Sequence, residues 1–302
     1  MYEQVARNKR RTFLLLAVFV LFIFLVALAF NFLLGYGAIG VAIAVVIAIA
    51  MAFGSYFESD KIALAATGAR LADPTQYQRY HNLVEGLCIA AGLPKPRLYI
   101  VNDPAPNAFA TGRNPKHAAI AVTSGLLEKM NRVELEGVLA HELSHIKNYD
   151  ILVSTIAVTA VGVVVLLSDL GLRFMWFGGR RNRRDASDSN NPLGLILLLL
   201  ALALLVLAPF FAQLMKMAVS RNREYLADVS GVELTRYPPG LISALEKLQA
   251  DSTVVHKATK ATAQLWIEEP LETSPQAKGS AMNRMFATHP PLADRIARLK
   301  EM

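Results

Sequence analysis

Polar and apolar positions along this chain fall into long blocks rather than an even mixture. From Thr12 to Phe57 no residue carries a charge. A bilayer core takes about 20 apolar residues per helix, so this block predicts two spanning helices joined at the break around Gly35-Tyr36-Gly37. The block is far longer than the apolar core of a cleaved signal, about 7–15 residues, and is not read as one. Two later runs, Ile151–Ser168 and Pro192–Leu214, are also free of charge and predict a second pair. The first would cover roughly 27 Å as a helix, marginal for a core about 30 Å thick. Pro209 should kink the second. Between them lies Arg173–Asn191, with Arg173, Arg180, Arg181, Arg183 and Arg184.

The polar blocks read differently. Glu58–Asp150 mixes helical and strand periods. Asp73-Pro74 resembles an N-cap with proline at the first helical position, and Tyr77, Tyr80, Leu83, Leu87 and Cys88 recur at helical spacing until Gly92. Arg97–Val101 predicts a short strand. Asn107–Thr111 and Ala118–Thr123 predict a hairpin across Gly112–Lys116. Asn131 and Glu134 make a capping box for the helix that follows. Asp251–Ser280, rich in Thr, Ala, Pro and charge, reads as a linker, with a flap as the alternative. The expected organisation is an α+β membrane protein, mainly helical, with up to four transmembrane helices and a small β-sheet. Its segments are a hairpin over 1–57, the first part of a polar domain over 58–150, a second hairpin over 151–217 and the rest of the polar domain over 218–302.

Charge orients the chain. Arg7, Lys9, Arg10 and Arg11 precede the first span and place the N-terminus, and with it Glu58–Asp150, on the cytoplasmic side. The arginine-rich loop conflicts with this scheme, because two full crossings from Ile151 would put it outside. Either the loop escapes the rule as part of a tight hairpin or the later pair enters the membrane without crossing it. The net charge of +7 is explained by basic residues flanking the apolar blocks, where anionic lipid head groups attract them. No nucleic-acid module is present. The single cysteine, Cys88, excludes an intrachain disulfide.

The candidate chemistry sits in His141-Glu142-Leu143-Ser144-His145, an HExxH pattern. Positions i and i+4 of a helix lie one above the other, so both imidazoles reach one ion and Glu142 stands beside it. That is the arrangement of a catalytic zinc, which keeps one position for water and takes a third protein ligand. The continuation with a third His fails, because Tyr149 and Ile151 occupy the places of Gly and His. The alternative is an acid on a second helix. Ser220–Asp228 has Glu224 and Asp228 at i and i+4, so that Glu224 could bind the metal and Asp228 hold a ligand imidazole from behind. Both ligand helices must then lie on one side of the membrane. His81, His117 and His256 have no partner at telling spacing and read as ordinary surface or packing residues. A transporter is disfavoured because the uncharged spans carry no ionisable residue to mark an ion path. An inactive zinc scaffold is disfavoured because metal binding alone does not need Glu142.

These blocks, with Asn107-Ala108-Phe109-Ala110-Thr111-Gly112 and Thr288-His289-Pro290-Pro291 followed by Arg295, resemble the HtpX-type membrane zinc metalloproteases, relatives of the prenyl-protein CaaX proteases. The resemblance covers most of the chain. It implies a cytosolic gluzincin-type domain with one Zn2+ per chain on His141, His145 and Glu224, and Glu142 activating water. It also implies an edge strand at Asn107, Ala108, Phe109 and Ala110 for substrate, and His289, with Arg295 behind it, steadying the oxyanion. The implied activity is hydrolysis of membrane or misfolded proteins at the cytoplasmic face of the plasma membrane, in quality control. Processing of lipidated C-terminal peptides is the alternative, discriminated by whether cleavage needs the lipid.

Overall fold

Long apolar runs without helix breakers should form long helices, and two of them open the chain. The computed structural model describes residues 2–34, 37–160, 162, 221–256, 262, 265–268 and 290–302. Helix α1 covers Tyr2–Leu34 and α2 covers Gly37–Ala66. Helix α2 continues past Phe57, where charge begins, as far as Ala66. Leu15, Phe19, Phe22 and Ile23 of α1 are buried together with Ala48 of α2. Ile39, Ile43, Val46 and Phe53 on α2 are exposed. Such a row of exposed apolar side chains is the kind of surface that meets lipid or another protein. Among the described residues α2 is the one helix long and apolar enough to cross a membrane. The expected third run begins as a helix, α6, over Asp150–Ala160. Its remainder, the fourth run and the arginine-rich loop lie outside the described residues.

The polar domain starts at β1 (Arg70–Leu71), a two-residue strand that the pattern does not signal. Asp73 does not cap a helix beginning at Pro74. Its Oδ1 accepts from the backbone N–H of Thr75 (2.8 Å) and Gln76 (3.1 Å), which closes a turn, and α3 runs over Gln78–Ala91. That helix stops at Gly92, whose φ of 65° lies in the left-handed region. Strands β2 (Arg97–Val101), β3 (Ala108–Gly112) and β4 (Ala118–Thr123) follow. The sheet order is β1-β2-β4-β3. The predicted hairpin is β3 against β4, antiparallel, and β2 runs parallel to β4. Gly112 is obligatory at the hairpin bend, because its φ is 132° and a Cβ there would meet the His117 carbonyl oxygen at 2.3 Å.

From β4 the chain enters α4 (Ser124–Lys129), capped by Thr123, and then α5 (Arg132–Lys147). Asn131 and Glu134 form the capping box in both directions, at 3.0 and 2.8 Å. Glu134 also accepts from Ser243 and Lys247 of α8 (Pro238–Ala250), at 2.6 and 2.7 Å. From Gly137 through Ile146, helix α5 is buried at every position except His145. Leu135, Val138, Leu139, Leu143 and Ile146 are core residues shared with α3, the sheet and α8. Each contributes about 1.5–3 kcal/mol of apolar burial. Helix α7 (Arg221–Thr235) crosses α5 at Gly231, where a Cβ would lie 3.0 Å from the His141 nitrogen. Helix α9 (Leu292–Lys300) closes the domain through Ile296 and Leu299.

Candidate metal centre

The two imidazoles of α5 project from one helical face, and α7 brings a carboxylate against them. His141 Nε2 and His145 Nε2 are 3.1 Å apart. Glu224 places Oε2 3.6 Å from His141 Nε2 and Oε1 3.6 Å from His145 Nε2. Among the described residues these three form the group of donors close enough to share one ion. Bonds of about 2.0–2.1 Å in a tetrahedron separate donors by about 3.3 Å, so the arrangement fits zinc without large adjustment. They line a cavity of about 30 Å³ together with Glu142, Ala110, Trp266 and Ile267.

Each imidazole is held from behind through Nδ1. For His141 the partner is Asp228 Oδ1 at 2.9 Å, as the spacing on α7 predicts. For His145 it is Asp150 Oδ2 at 3.1 Å, which the sequence does not suggest. Helix α5 does not run on into the third apolar block. It ends at Lys147, Tyr149 takes a φ of 60°, and α6 starts at Asp150. That reversal returns Asp150 to the histidine five residues before it. The carboxylate is fixed in turn by Asn8 of α1, whose Nδ2 donates to Oδ1 at 2.7 Å, and by Arg223 at 3.4 Å.

Arg295 is fully buried behind His141. Its guanidinium donates to Asp228 through Nε at 2.8 Å and Nη2 at 2.6 Å, and to the Ile267 carbonyl at 3.2 Å. The same guanidinium stands 3.3 Å from His141 Nδ1 and 3.9 Å from Glu224 Oε2. His289 lies outside the described residues.

The electrostatics follow from burial. Desolvation pushes the Glu142 carboxyl up, while the flanking imidazoles pull it down and lose. Burial would raise Asp228, but Arg295 outweighs it and holds the carboxyl below its usual range. Burial and the Arg295 charge press His141 toward neutrality. The bonds to Asp228 and Glu224 outweigh both, so the imidazole titrates at about 9.

Strand β3 lies at the sheet edge, as the Asn107–Ala110 segment was expected to. Thr123 N–H donates to the Asn107 carbonyl at 3.0 Å, so by alternation the main-chain groups of Ala108, Ala110 and Gly112 point away from β4. The Ala108 carbonyl accepts from Ile267 N–H at 2.9 Å, and Gly112 N–H donates to Thr155 Oγ1 at 3.3 Å. The Asn107 side chain exchanges bonds with the Glu268 backbone at 2.9 and 3.3 Å. Trp266 is buried edge-on against Phe109, with ring centroids 4.7 Å apart. Among the described residues, no hydrogen bond engages the outward groups of Ala110, which lines the metal cavity.

Comparison with known proteins identifies the family of the chain. The family described as Peptidase family M48 matches residues 74–302. The chain is 44% identical over 303 residues to the "Protease HtpX homolog" of Streptococcus uberis, covering all of both chains. It is likewise 44% identical over 303 residues to the "Protease HtpX homolog" of Caldanaerobacter subterraneus subsp. tengcongensis, covering 98% of that protein. Among solved structures, S. mikatae Ste24p aligns with 99% of this chain and 67% of its own, at 17% identity and a TM-score of 0.48.

Proposed function

The chain belongs to peptidase family M48 and is a metalloprotease, and from that premise we propose a multi-pass, zinc-dependent membrane endopeptidase. In this reading it cuts membrane or misfolded proteins at the cytoplasmic face, in quality control of the membrane. The observation that carries the proposal is the convergence of His141 Nε2, His145 Nε2 and the Glu224 carboxylate, whose two oxygens each approach one imidazole at 3.6 Å, beside the buried Glu142. His141, His145 and Glu224 are the ligands. When bound, zinc supplies a water of lowered pKa and polarises the scissile carbonyl.

Glu142 takes the proton of the attacking water and delivers it to the leaving amine. A raised carboxyl pKa suits a group that must both accept and return a proton. Asp228 and Asp150 hold the imidazoles with Nδ1 protonated and Nε2 free to ligate. Arg295 keeps Asp228 ionised and oriented. Substrate backbone pairs with the outward N–H and C=O of Ala110, a mode that accepts many sequences because it reads main chain. Asn107 supports the rim of that groove by clasping Glu268. His289 is assigned to the oxyanion on the resemblance of its motif alone.

The cytoplasmic orientation rests on Arg7, Lys9, Arg10 and Arg11 ahead of the first apolar block. Four crossings would return α7 to the side of α5, which a shared ion requires.

The test is cleavage of unlipidated casein by detergent-purified protein and its Glu142→Gln variant, with bound zinc measured in both. Cleavage by the parent alone, with about one zinc per chain in each, is expected. Equal zinc with no cleavage by either would redirect the assignment to lipidated substrates. Absence of zinc from both would end it.

A further inference from the structure

A second concavity lies away from the metal, where α1 enters its apolar run. It is a groove of about 730 Å³ between α1, the end of α2, the turn after α3, the β3–β4 bend and the start of α6. Its size falls in the range of small-molecule sites. Its lining is polarised along α1. Lys9, Arg113 and Lys116 line it, Arg113 also donating to the Phe57 carbonyl at 3.1 Å, and among the described residues no acid does. Phe13, Leu16, Leu93 and Leu152 supply the apolar part. Along α1 the lining runs from Lys9 to Thr12, the first residue of the uncharged block, and on to Phe13 and Leu16, the order of head group and acyl chain in a lipid.

Thr12 gives a second, independent indication. It is 4% exposed and lines the groove, and its hydroxyl has no hydrogen-bond partner among the described residues. A buried hydroxyl without a partner is costly, and a helical Thr ordinarily bonds back to the preceding turn. A ligand with acceptor oxygens in this groove would satisfy it.

We propose that this groove binds one anionic phospholipid, its phosphate among Lys9, Arg113, Lys116 and the Thr12 hydroxyl and its acyl chain along Phe13 and Leu16. Basic pockets beside membrane helices take acidic head groups by this chemistry. The site also touches the frame of the metal centre. Lys9 lies 4.9 Å above the ring of Tyr149, the residue before Asp150, and its neighbour Asn8 donates to Asp150 itself. A lipid held there would brace the turn that delivers Asp150 to His145.

The experiment is native mass spectrometry of the full chain with its metal, in neutral detergent, titrated with phosphatidylglycerol or phosphatidylcholine of identical acyl chains. One phosphatidylglycerol per chain is expected, retained at least tenfold more tightly than phosphatidylcholine. The combined Lys9→Gln, Arg113→Gln, Lys116→Gln variant should lose at least tenfold. The combined Arg7→Gln, Arg10→Gln, Arg11→Gln variant, equal in charge but outside the groove, should stay within twofold of the parent. Equal binding of the two lipids would mean a merely apolar groove and overturn the proposal. Equal losses in both charge variants would mean diffuse surface attraction and do the same. Displacement by millimolar glycerol 1-phosphate would show a site for soluble phosphate and also overturn it. If the triple variant fails to fold, Thr12→Val removes only the hydroxyl and keeps the shape. It should weaken phosphatidylglycerol binding threefold or more, and unchanged binding would overturn the proposal.

Discussion

Asp150→Ala tests the least anticipated part of the site. In the parent, Asp150 Oδ2 receives the His145 Nδ1 proton at 3.1 Å, and Oδ1 is occupied by Asn8 at 2.7 Å and Arg223 at 3.4 Å. Truncation leaves that Nδ1–H without its acceptor in an almost buried position and frees the imidazole to rotate or change tautomer. Loss of such a partner typically lowers metal affinity 10–100-fold, which is about 1.4–2.8 kcal/mol at 1.4 kcal/mol per tenfold. Asp150→Asn should fall between parent and Ala. Its carbonyl can accept from His145, but its amide then opposes the donors of Asn8 and Arg223. Zinc affinity is read by competition with a chelating dye, on protein whose metal-free melting is followed in parallel to separate loss of fold from loss of ligation. If Asp150→Ala binds zinc within twofold of the parent while His145→Ala does not bind it, the orienting role is refuted.

Three further outcomes follow from the same geometry. The His141 imidazole is raised to about 9, so the metal-free protein should hold this group's stabilising contribution below about pH 6.5 and lose it as pH rises through about 9. Zinc must displace that proton, so its affinity should rise over the same window, and paired denaturation and chelator titrations from pH 6 to 9.5 would check the opposed trends. Gly231→Ala should cost about 1–3 kcal/mol by forcing α7 off α5, because its Cβ would stand 3.2 Å from the His141 Cα; thermal unfolding with and without zinc reads it. Arg295→Met, which removes one member of a buried ion pair with Asp228, should cost about 3–5 kcal/mol. Denaturant unfolding measures that loss, and a change below about 1 kcal/mol would contradict the buried-pair reading.

What the sequence makes legible here is local. Helical spacing alone puts His141 above His145 and Glu224 beside Asp228, and the capping box at Asn131 fixes where α5 starts. The β3–β4 hairpin follows from alternation around Gly112. Asp150 is hidden because its role depends on a reversal at Tyr149, a residue type that carries no signal for a left-handed backbone. Asp73 is misread as a helix cap because the same side-chain bonds that cap a helix also close a turn. Arg295 and the clasp of Asn107 on Glu268 depend on contacts across 67 and 161 residues, which periodicity does not report. The groove at Lys9 draws on five separate elements and has no linear signature at all.

The wide spacing of the centre also sets a timetable. His141 and Arg295 touch across 154 residues, and Glu224 and Asp228 arrive only after the second apolar region has been synthesised. Domains fold in order of emergence during translation, so a growing chain displays the two histidines, with Glu142 and Asp150, long before Glu224 can join them. The group of three donors that could share one ion is thereby incomplete until α7 has emerged.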